Sequence, residues 1–272
     1  MNGLSGTGDE RLTYSGYLHL DSVLAAQQPV AEPGCHDEML FIVQHQVAEL
    51  LMKLLIHELR EACRLLDTNE GPSCVAVLDR IDRVLAHMVD QWSLLETLSP
   101  ASFAEFRPAL QNASGIQSAQ YRIIEFLLGY KRPHVIRCFS PQPEMMALLR
   151  EASEAPSIYD QFIRYLHRQG HGMPVTGRDG VLEEDDALVR AFRDAYAYGA
   201  SDVRDLCDRM ASVAGTFHLW RARHVQTVSR FIGRAAGTGG SSGVSFLNRT
   251  LQVRFFPELT SALNREPAEP AV

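Results

Sequence analysis

Several features that would assign this chain to a specialised class are scarce or missing. Its five cysteines are odd in number and widely spaced, and no two of them form a Cys-x-x-Cys pair. This pattern argues against a disulfide framework, a zinc ribbon and a thioredoxin-type motif. The N-terminus lacks the apolar segment of a signal peptide, and no apolar run approaches the roughly 20 residues of a membrane span. We therefore expect a cytoplasmic protein with free thiols and no membrane association.

The charge balance gives no sign of a polyanionic partner either. The net charge is −7 at pH 7, the pI is about 5.8, and the arginines are scattered rather than gathered into a basic tract. We therefore expect no binding to nucleic acid. What the chain does have is a 46% share of hydrophobic residues in 272 positions, enough to bury a substantial core.

The hydrophobic residues recur mainly at helical spacing, which predicts an all-α protein with one domain. We expect disordered ends at residues 1–10 and 264–272, with the helical domain at residues 11–263. Residues 171–186 are predicted to form a surface loop. Capping residues and breaks predict helices at 37–66 (with Asp37 as N-cap), 73–98, 117–130 and 202–233, and short ones at 13–28, 100–107 and within 143–169.

His224 is the most informative single residue, because an apolar stripe of the last long helix carries it toward the core. The stripe contains Leu206, Met210, Val213, Phe217, Trp220 and Val228. A core-facing imidazole is either hydrogen-bonded to a backbone carbonyl or bound to a metal. No second histidine lies at zinc-site spacing, so a pre-assembled cofactor such as haem fits better than a bare ion.

His45 lies one helical turn after Phe41, and the two rings could line a pocket for a flat apolar ligand. The alternative for Phe41 and His45 is that both side chains simply pack in the core. Arg107 follows Phe103 by one turn, and an arginine beside an aromatic residue suits the capture of a carboxylate, although most arginines are solvated. The glycine-rich residues 237–243 form either a flexible linker or a loop that closes over a ligand, with Thr238 presenting a hydroxyl.

The order of these and other short motifs resembles the tryptophan 2,3-dioxygenase family over roughly residues 12–259. The motifs are LTYSGYL at 12–18, HDEMLF at 36–41, HQ at 45–46, LET at 95–97, FR at 106–107, SG at 114–115, QS at 117–118, RH at 223–224 and GTGGSSG at 237–243. The resemblance implies an all-helical enzyme with haem b as its cofactor.

The resemblance also implies a role for each motif residue. His224 matches the axial haem ligand, and His45 matches the histidine that hydrogen-bonds the indole N–H. Arg107 and Thr238 match residues that hold the charged end of the amino acid, and Phe103 lies beside that end. Ser114 and Gly115 match residues near a haem propionate, and Phe41 would wall the indole. Tyr14, Tyr17 and Leu18 would close the pocket of a neighbouring subunit, because family members are homotetramers.

The implied reaction begins with O2 on ferrous haem and inserts both oxygen atoms across the indole C2–C3 bond of L-tryptophan, giving N-formylkynurenine. Two departures reduce aromatic bulk. Leu51 stands where the family usually has tryptophan, and Ile116 where it usually has phenylalanine. They leave open a relative that inserts one oxygen atom into tryptophan or its β-methyl derivative to give a 2-oxindole. A catalytically silent ligand-binding module is a third hypothesis, opposed by the joint presence of His45, Arg107, Thr238 and His224.

Overall fold

The computed structural model describes residues 12–174, 184–233 and 235–264 of the chain. Within those ranges it contains helices, turns and loops but no strand, which confirms the predicted all-α class. The predicted disordered ends and residues 175–183 of the predicted loop lie outside the described residues, except that Asn264 is the last residue of a helix.

Twelve α-helices and three short 3₁₀ helices make up the described part. The α-helices are α1 (Tyr14–Leu18), α2 (Leu20–Leu24), α3 (His36–Asp67), α4 (Gly71–Leu95), α5 (Pro100–Phe106), α6 (Ala119–Leu127), α7 (Pro143–Glu154), α8 (Ile158–Arg168), α9 (Asp186–Tyr198), α10 (Ser201–Ile232), α11 (Val244–Leu251) and α12 (Pro257–Asn264). The 3₁₀ helices are Arg107–Leu110, Gly115–Gln117 and Pro133–Phe139.

The core forms where α4 packs against both α3 and α10, the two longest helices. Apolar residues at three- and four-residue spacing place one face of each helix inward. Leu59 of α3, Leu78 and Leu85 of α4, and Phe217 of α10 are fully buried. Each such side chain contributes about 1.5–3 kcal/mol relative to an exposed position. Helices α3, α4 and α10 therefore form a tightly packed frame.

The helix α3 is long and apolar enough to cross a membrane when only length and composition are considered. The same test selects core helices of globular proteins, and α3 packs along its length against α4, α6 and α8. This packing buries only part of the helix, since Met39, Val43, Leu50 and Leu54 stay exposed in the single chain.

Several predicted helix ends are wrong, and local geometry explains each. The single helix predicted at 13–28 is two short helices, because His19 between them adopts a left-handed conformation (φ 51°). Helix α3 begins at His36, so its N-cap is Cys35, two positions before the predicted Asp37. Helix α4 ends at Leu95, before the turn that leads to Pro100. The helix predicted at 117–130 starts at Ala119, where the Ser118 hydroxyl accepts a hydrogen bond from a backbone N–H.

Residues 12–25, with helices α1 and α2, form an N-terminal arm that has no buried residue. The segment after the arm is tied to α3, because the buried Glu38 carboxylate accepts hydrogen bonds from the backbone N–H groups of Val30 and Ala31 at 2.9 and 3.0 Å. Two tyrosines of the arm, Tyr14 and Tyr17, are 77% and 68% exposed. The arm is thus anchored at its base while its aromatic side chains face away from the rest of the chain.

Candidate cofactor and substrate cavity

A deep cavity lies between α3, α4 and α10, and the loops before α6 and α11 complete its wall. The structure places most of the predicted site residues there. These are Phe41, His45, Phe103, Arg107, Ser114, Gly115, His224 and Thr238. They come from positions almost 200 residues apart in the chain, yet they line one space. The three arm residues Tyr14, Tyr17 and Leu18 do not line the cavity of their own chain, and their predicted role across a subunit boundary stays a prediction.

His224 is held in the wall by two indole rings. The Trp92 ring from α4 stacks on the imidazole with centroids 5.1 Å apart and planes 14° apart, and Trp220 lies 5.8 Å away. Burial in this apolar wall, with a smaller contribution from the charge of His45, lowers the pKa of His224 to about 4. The imidazole is therefore neutral at physiological pH and keeps a free lone pair.

This wall fits a haem. A neutral imidazole is the protonation state that ligates iron. The residues described contain no cluster of three or more histidine, cysteine or acidic side chains suited to a bare metal ion. The buried Trp92 Nε1 and Thr227 Oγ1 atoms of the same wall have no hydrogen-bond partner within the described ranges, so the wall has polar atoms to spare for a bound group and its water.

His45 reaches the cavity from the opposite long helix, α3. Its Nδ1 lies 2.8 Å from the carbonyl oxygen of Phe41. A carbonyl only accepts, so Nδ1 carries the proton and the neutral ring presents Nε2 as an acceptor. The ring is open to the cavity, yet the surrounding protein desolvates it. That desolvation lowers the pKa of His45, and it outweighs the Phe41 hydrogen bond and the Glu49 charge, which raise the pKa. The neutral His45 ring can therefore accept a hydrogen bond at Nε2.

Three phenylalanine rings, Phe41, Phe103 and Phe231, line the apolar end of the cavity beside His45, and the fully buried Phe106 packs against them. The Phe41 ring lies 4.1 Å from the His45 imidazole and 5.3 Å from Phe106. Phe103 stacks on Phe231 of α10 at 5.1 Å. Such offset and tilted contacts are the arrangements aromatic rings prefer, and they line this end of the cavity with aromatic surface. This end suits a planar aromatic ligand and excludes water.

The polar end is built from two loops that meet. The Arg107 guanidinium donates to the carbonyl of Ala236 at 2.7 Å, and the Thr238 hydroxyl donates to the carbonyl of Ala113 at 2.6 Å. At Gly239 the loops are so close that an added Cβ would lie 2.7 Å from the Ser114 Cβ. Both polar side chains therefore bond to backbone carbonyls that a ligand's charged group could replace.

Sequence reasoning missed some cavity residues. Trp92 and Arg122 line the cavity, although no motif in the sequence singled them out. The only signal for Arg122 is that a charged residue interrupts the apolar face of α6 beside Glu125. Of the two departures from the family pattern, Ile116 lines the cavity, whereas Leu51 packs against the core.

These features define a helical protein with a cavity that is apolar and aromatic at one end and polar at the other. The family model for tryptophan 2,3-dioxygenase matches residues 3–154 and 185–263. A tryptophan 2,3-dioxygenase of Xanthomonas euvesicatoria pv. vesicatoria is 50% identical over 92% of this chain and 86% of its own length. One from Arthrobacter sp. is 43% identical over 92% of this chain and 90% of its own. The chain belongs to the tryptophan 2,3-dioxygenase family, and it is therefore an oxidoreductase.

Proposed function

We propose that this enzyme is a haem-dependent tryptophan 2,3-dioxygenase that converts L-tryptophan and O2 to N-formylkynurenine in the cytoplasm. The observation that carries the proposal is the joint placement of a neutral His224, an acceptor at His45 and the Arg107–Thr238 pair around one aromatic cavity. Dioxygenases of this name are 43–50% identical to the chain over most of its length.

In this proposal each side chain has a separate task. His224 would hold the iron of haem b, and the haem, when bound, supplies the activation of O2. His45 accepts the indole N–H at Nε2, because its Nδ1 proton is committed to the carbonyl of Phe41. The rings of Phe41 and Phe103 would pack against the indole ring and keep water away from it.

The polar end would hold the amino-acid group. Arg107 exchanges the Ala236 carbonyl for the substrate carboxylate, a stronger, charge-assisted contact. Thr238 leaves the Ala113 carbonyl and bonds to the amino or carboxylate group. Ser114 and Gly115 lie beside this end and would border a haem propionate. Fixing both ends of the substrate orients the C2–C3 bond, and orientation is a large share of what a protein adds to such a reaction.

A second product outcome deserves a test because Ile116 lines the cavity where the family usually has a phenylalanine. The smaller side chain leaves room for a substituent such as a β-methyl group, the substrate of relatives that form a 2-oxindole. Mass spectrometry of products formed from L-tryptophan and β-methyl tryptophan under 18O2 separates the two reactions. We expect two labelled oxygen atoms in N-formylkynurenine from L-tryptophan. A single labelled oxygen would reject the dioxygenase in favour of the monooxygenase.

The assembly proposed for the enzyme is a homotetramer in which the N-terminal arm of one copy closes the cavity of another. Its support is the exposure of Tyr14 and Tyr17 on an arm that is anchored only at its base. Sedimentation of the full chain should give a tetramer. Tyr17→Ala should weaken tryptophan binding without changing how much haem the protein binds. A monomer with full affinity for tryptophan would refute the shared cavity.

A further inference from the structure

A buried cluster of charges lies directly behind one wall of the cavity. Glu125 of α6 is fully buried, and its Oε2 accepts hydrogen bonds from Arg122 Nη1 at 2.7 Å and Arg132 Nη2 at 3.1 Å. Arg221 of α10 is also buried, and it donates to the carbonyls of Thr250 and Val253. Two guanidinium groups, those of Arg122 and Arg132, thus share the Glu125 carboxylate, while the buried Arg221 bonds to backbone carbonyls instead.

All three arginines have unused donors, and the Nε atoms of Arg132 and Arg221 are buried without a partner among the described residues, but Arg122 differs in its burial and its contacts. Arg132 is partly exposed, with 21% of its side chain accessible, so water can solvate its charge. Arg221 uses two nitrogens on carbonyls and lies against the rings of Phe217 and Phe255. Arg122 has only 5% of its side chain accessible, and its single side-chain hydrogen bond among the described residues is the one to Glu125. A guanidinium has five N–H donors, and burying a charge without enough partners is costly.

Of the three arginines, Arg122 is the one that lines the cavity. Its guanidinium lies 5.1 Å from the centre of the Tyr121 ring. Tyr121 lies 5.7 Å from Trp220, and Trp220 lies 5.8 Å from His224. A continuous wall of side chains therefore joins Arg122 to the residue proposed as iron ligand. Arg107, the partner proposed for the substrate carboxylate, reaches the cavity from the loop that meets residues 236–243.

We propose that Arg122 is a cofactor-binding residue that takes a carboxylate of the haem as its second anionic partner, with Glu125 holding the guanidinium in place. The planar fork of an arginine matches a carboxylate, and a ligand that brings its own negative charge resolves the excess of arginines. This inference rests on the proposed function, since it assumes a haem in the cavity.

The test compares haem b with its dimethyl ester, in which both propionates are uncharged. Affinities of the apoprotein for each are measured by absorbance titration, for the wild type, Arg122→Gln and Arg122→Lys. The wild type should prefer haem b by about tenfold or more, the usual effect of a charge-assisted contact. Arg122→Gln should lose most of that preference, and Arg122→Lys should keep part of it. The ratio within each variant cancels any general loss of affinity, and circular dichroism checks the fold.

Arg132→Gln is the matched control, because it removes a charge from the same Glu125 without touching the cavity. It should retain the wild-type preference. An unchanged preference in Arg122→Gln, or an equal loss in Arg132→Gln, would overturn the proposal. If Arg122→Gln keeps its preference for haem b but no longer distinguishes L-tryptophan from tryptamine, the anion that Arg122 binds is the substrate carboxylate and not a haem carboxylate. Failure of the wild type to bind haem at all would refute the proposed function and not this assignment alone.

Discussion

The two ends of the cavity are held in different ways. The wall that carries His224 is made by packing, with Trp92 and Trp220 against the imidazole on helices that form the core of the protein. The polar end is made by single hydrogen bonds from Arg107 and Thr238 to backbone carbonyls of facing loops. Packed interiors resist change, whereas one hydrogen bond contributes about 0.5–1.5 kcal/mol and is readily exchanged. The first end suits a permanent cofactor, and the second suits a substrate that enters and leaves.

The largest effect should come from removing the one proposed iron ligand. His224→Ala should leave the protein folded but without haem after gel filtration, because the stacked rings cannot replace a coordinate bond. Absorbance of the haem band per protein measures the loss. His218→Ala on an exposed position of the same helix is the control and should bind haem normally. Normal haem content in His224→Ala would refute the ligand assignment.

Arg107→Leu should affect substrate binding at the polar end of the cavity and leave haem binding unchanged. We expect the Kd for L-tryptophan to rise by about 100-fold, since a charge-assisted contact is lost, while the haem spectrum stays intact. Tryptamine, which has no carboxylate, should bind to the variant and the wild type with similar affinity. An equal loss for both ligands would show that Arg107 supports the loop rather than the carboxylate.

Gly239→Ala should keep the polar loops apart, because the new Cβ would lie 2.7 Å from the Ser114 Cβ and 3.2 Å from the Ile116 Cγ2. Steady-state kinetics should show a KM raised on the order of tenfold, since Thr238 is displaced from its ligand. Haem content should not change. If KM is also unchanged, the loop accommodates the added methyl group despite its close approach to Ser114.

The smallest effect should appear in the packed frame, away from both ends. Gly215 lies in the interior of α10 on an exposed position, and an added Cβ meets nothing within 4 Å. Gly215→Ala should therefore raise the free energy of unfolding by about 0.5–1 kcal/mol without altering kinetics. Urea denaturation measures this change. A destabilised Gly215→Ala protein would mean that α10 depends on flexibility at this point.

Much of the frame could be predicted from periodicity, because the stripe from Leu206 to Val228 repeats over about six turns and is buried as expected apart from its cavity-lining members. Helix ends were less predictable. Asp37 is a better N-cap residue than Cys35, but the turn that starts α3 is set by Glu38, which binds the backbone of the preceding segment. The place of Trp92 in the cavity wall could not be predicted, because an apolar position on a helix faces either the core or a cavity according to the distance to the neighbouring helix.

The sequence by itself determined the all-helical class and the family, and through the family resemblance it supplied the histidines, the arginine and the threonine that we propose for the site. Each of these depends on local spacing or on motifs that a linear reading can recognise. Only the tertiary structure decided that Ile116 and not Leu51 faces the cavity, that Arg107 and Thr238 bond to backbone carbonyls, and that Arg122 is left with too few partners. Those are properties of burial and charge balance, and they exist only after distant helices have packed together.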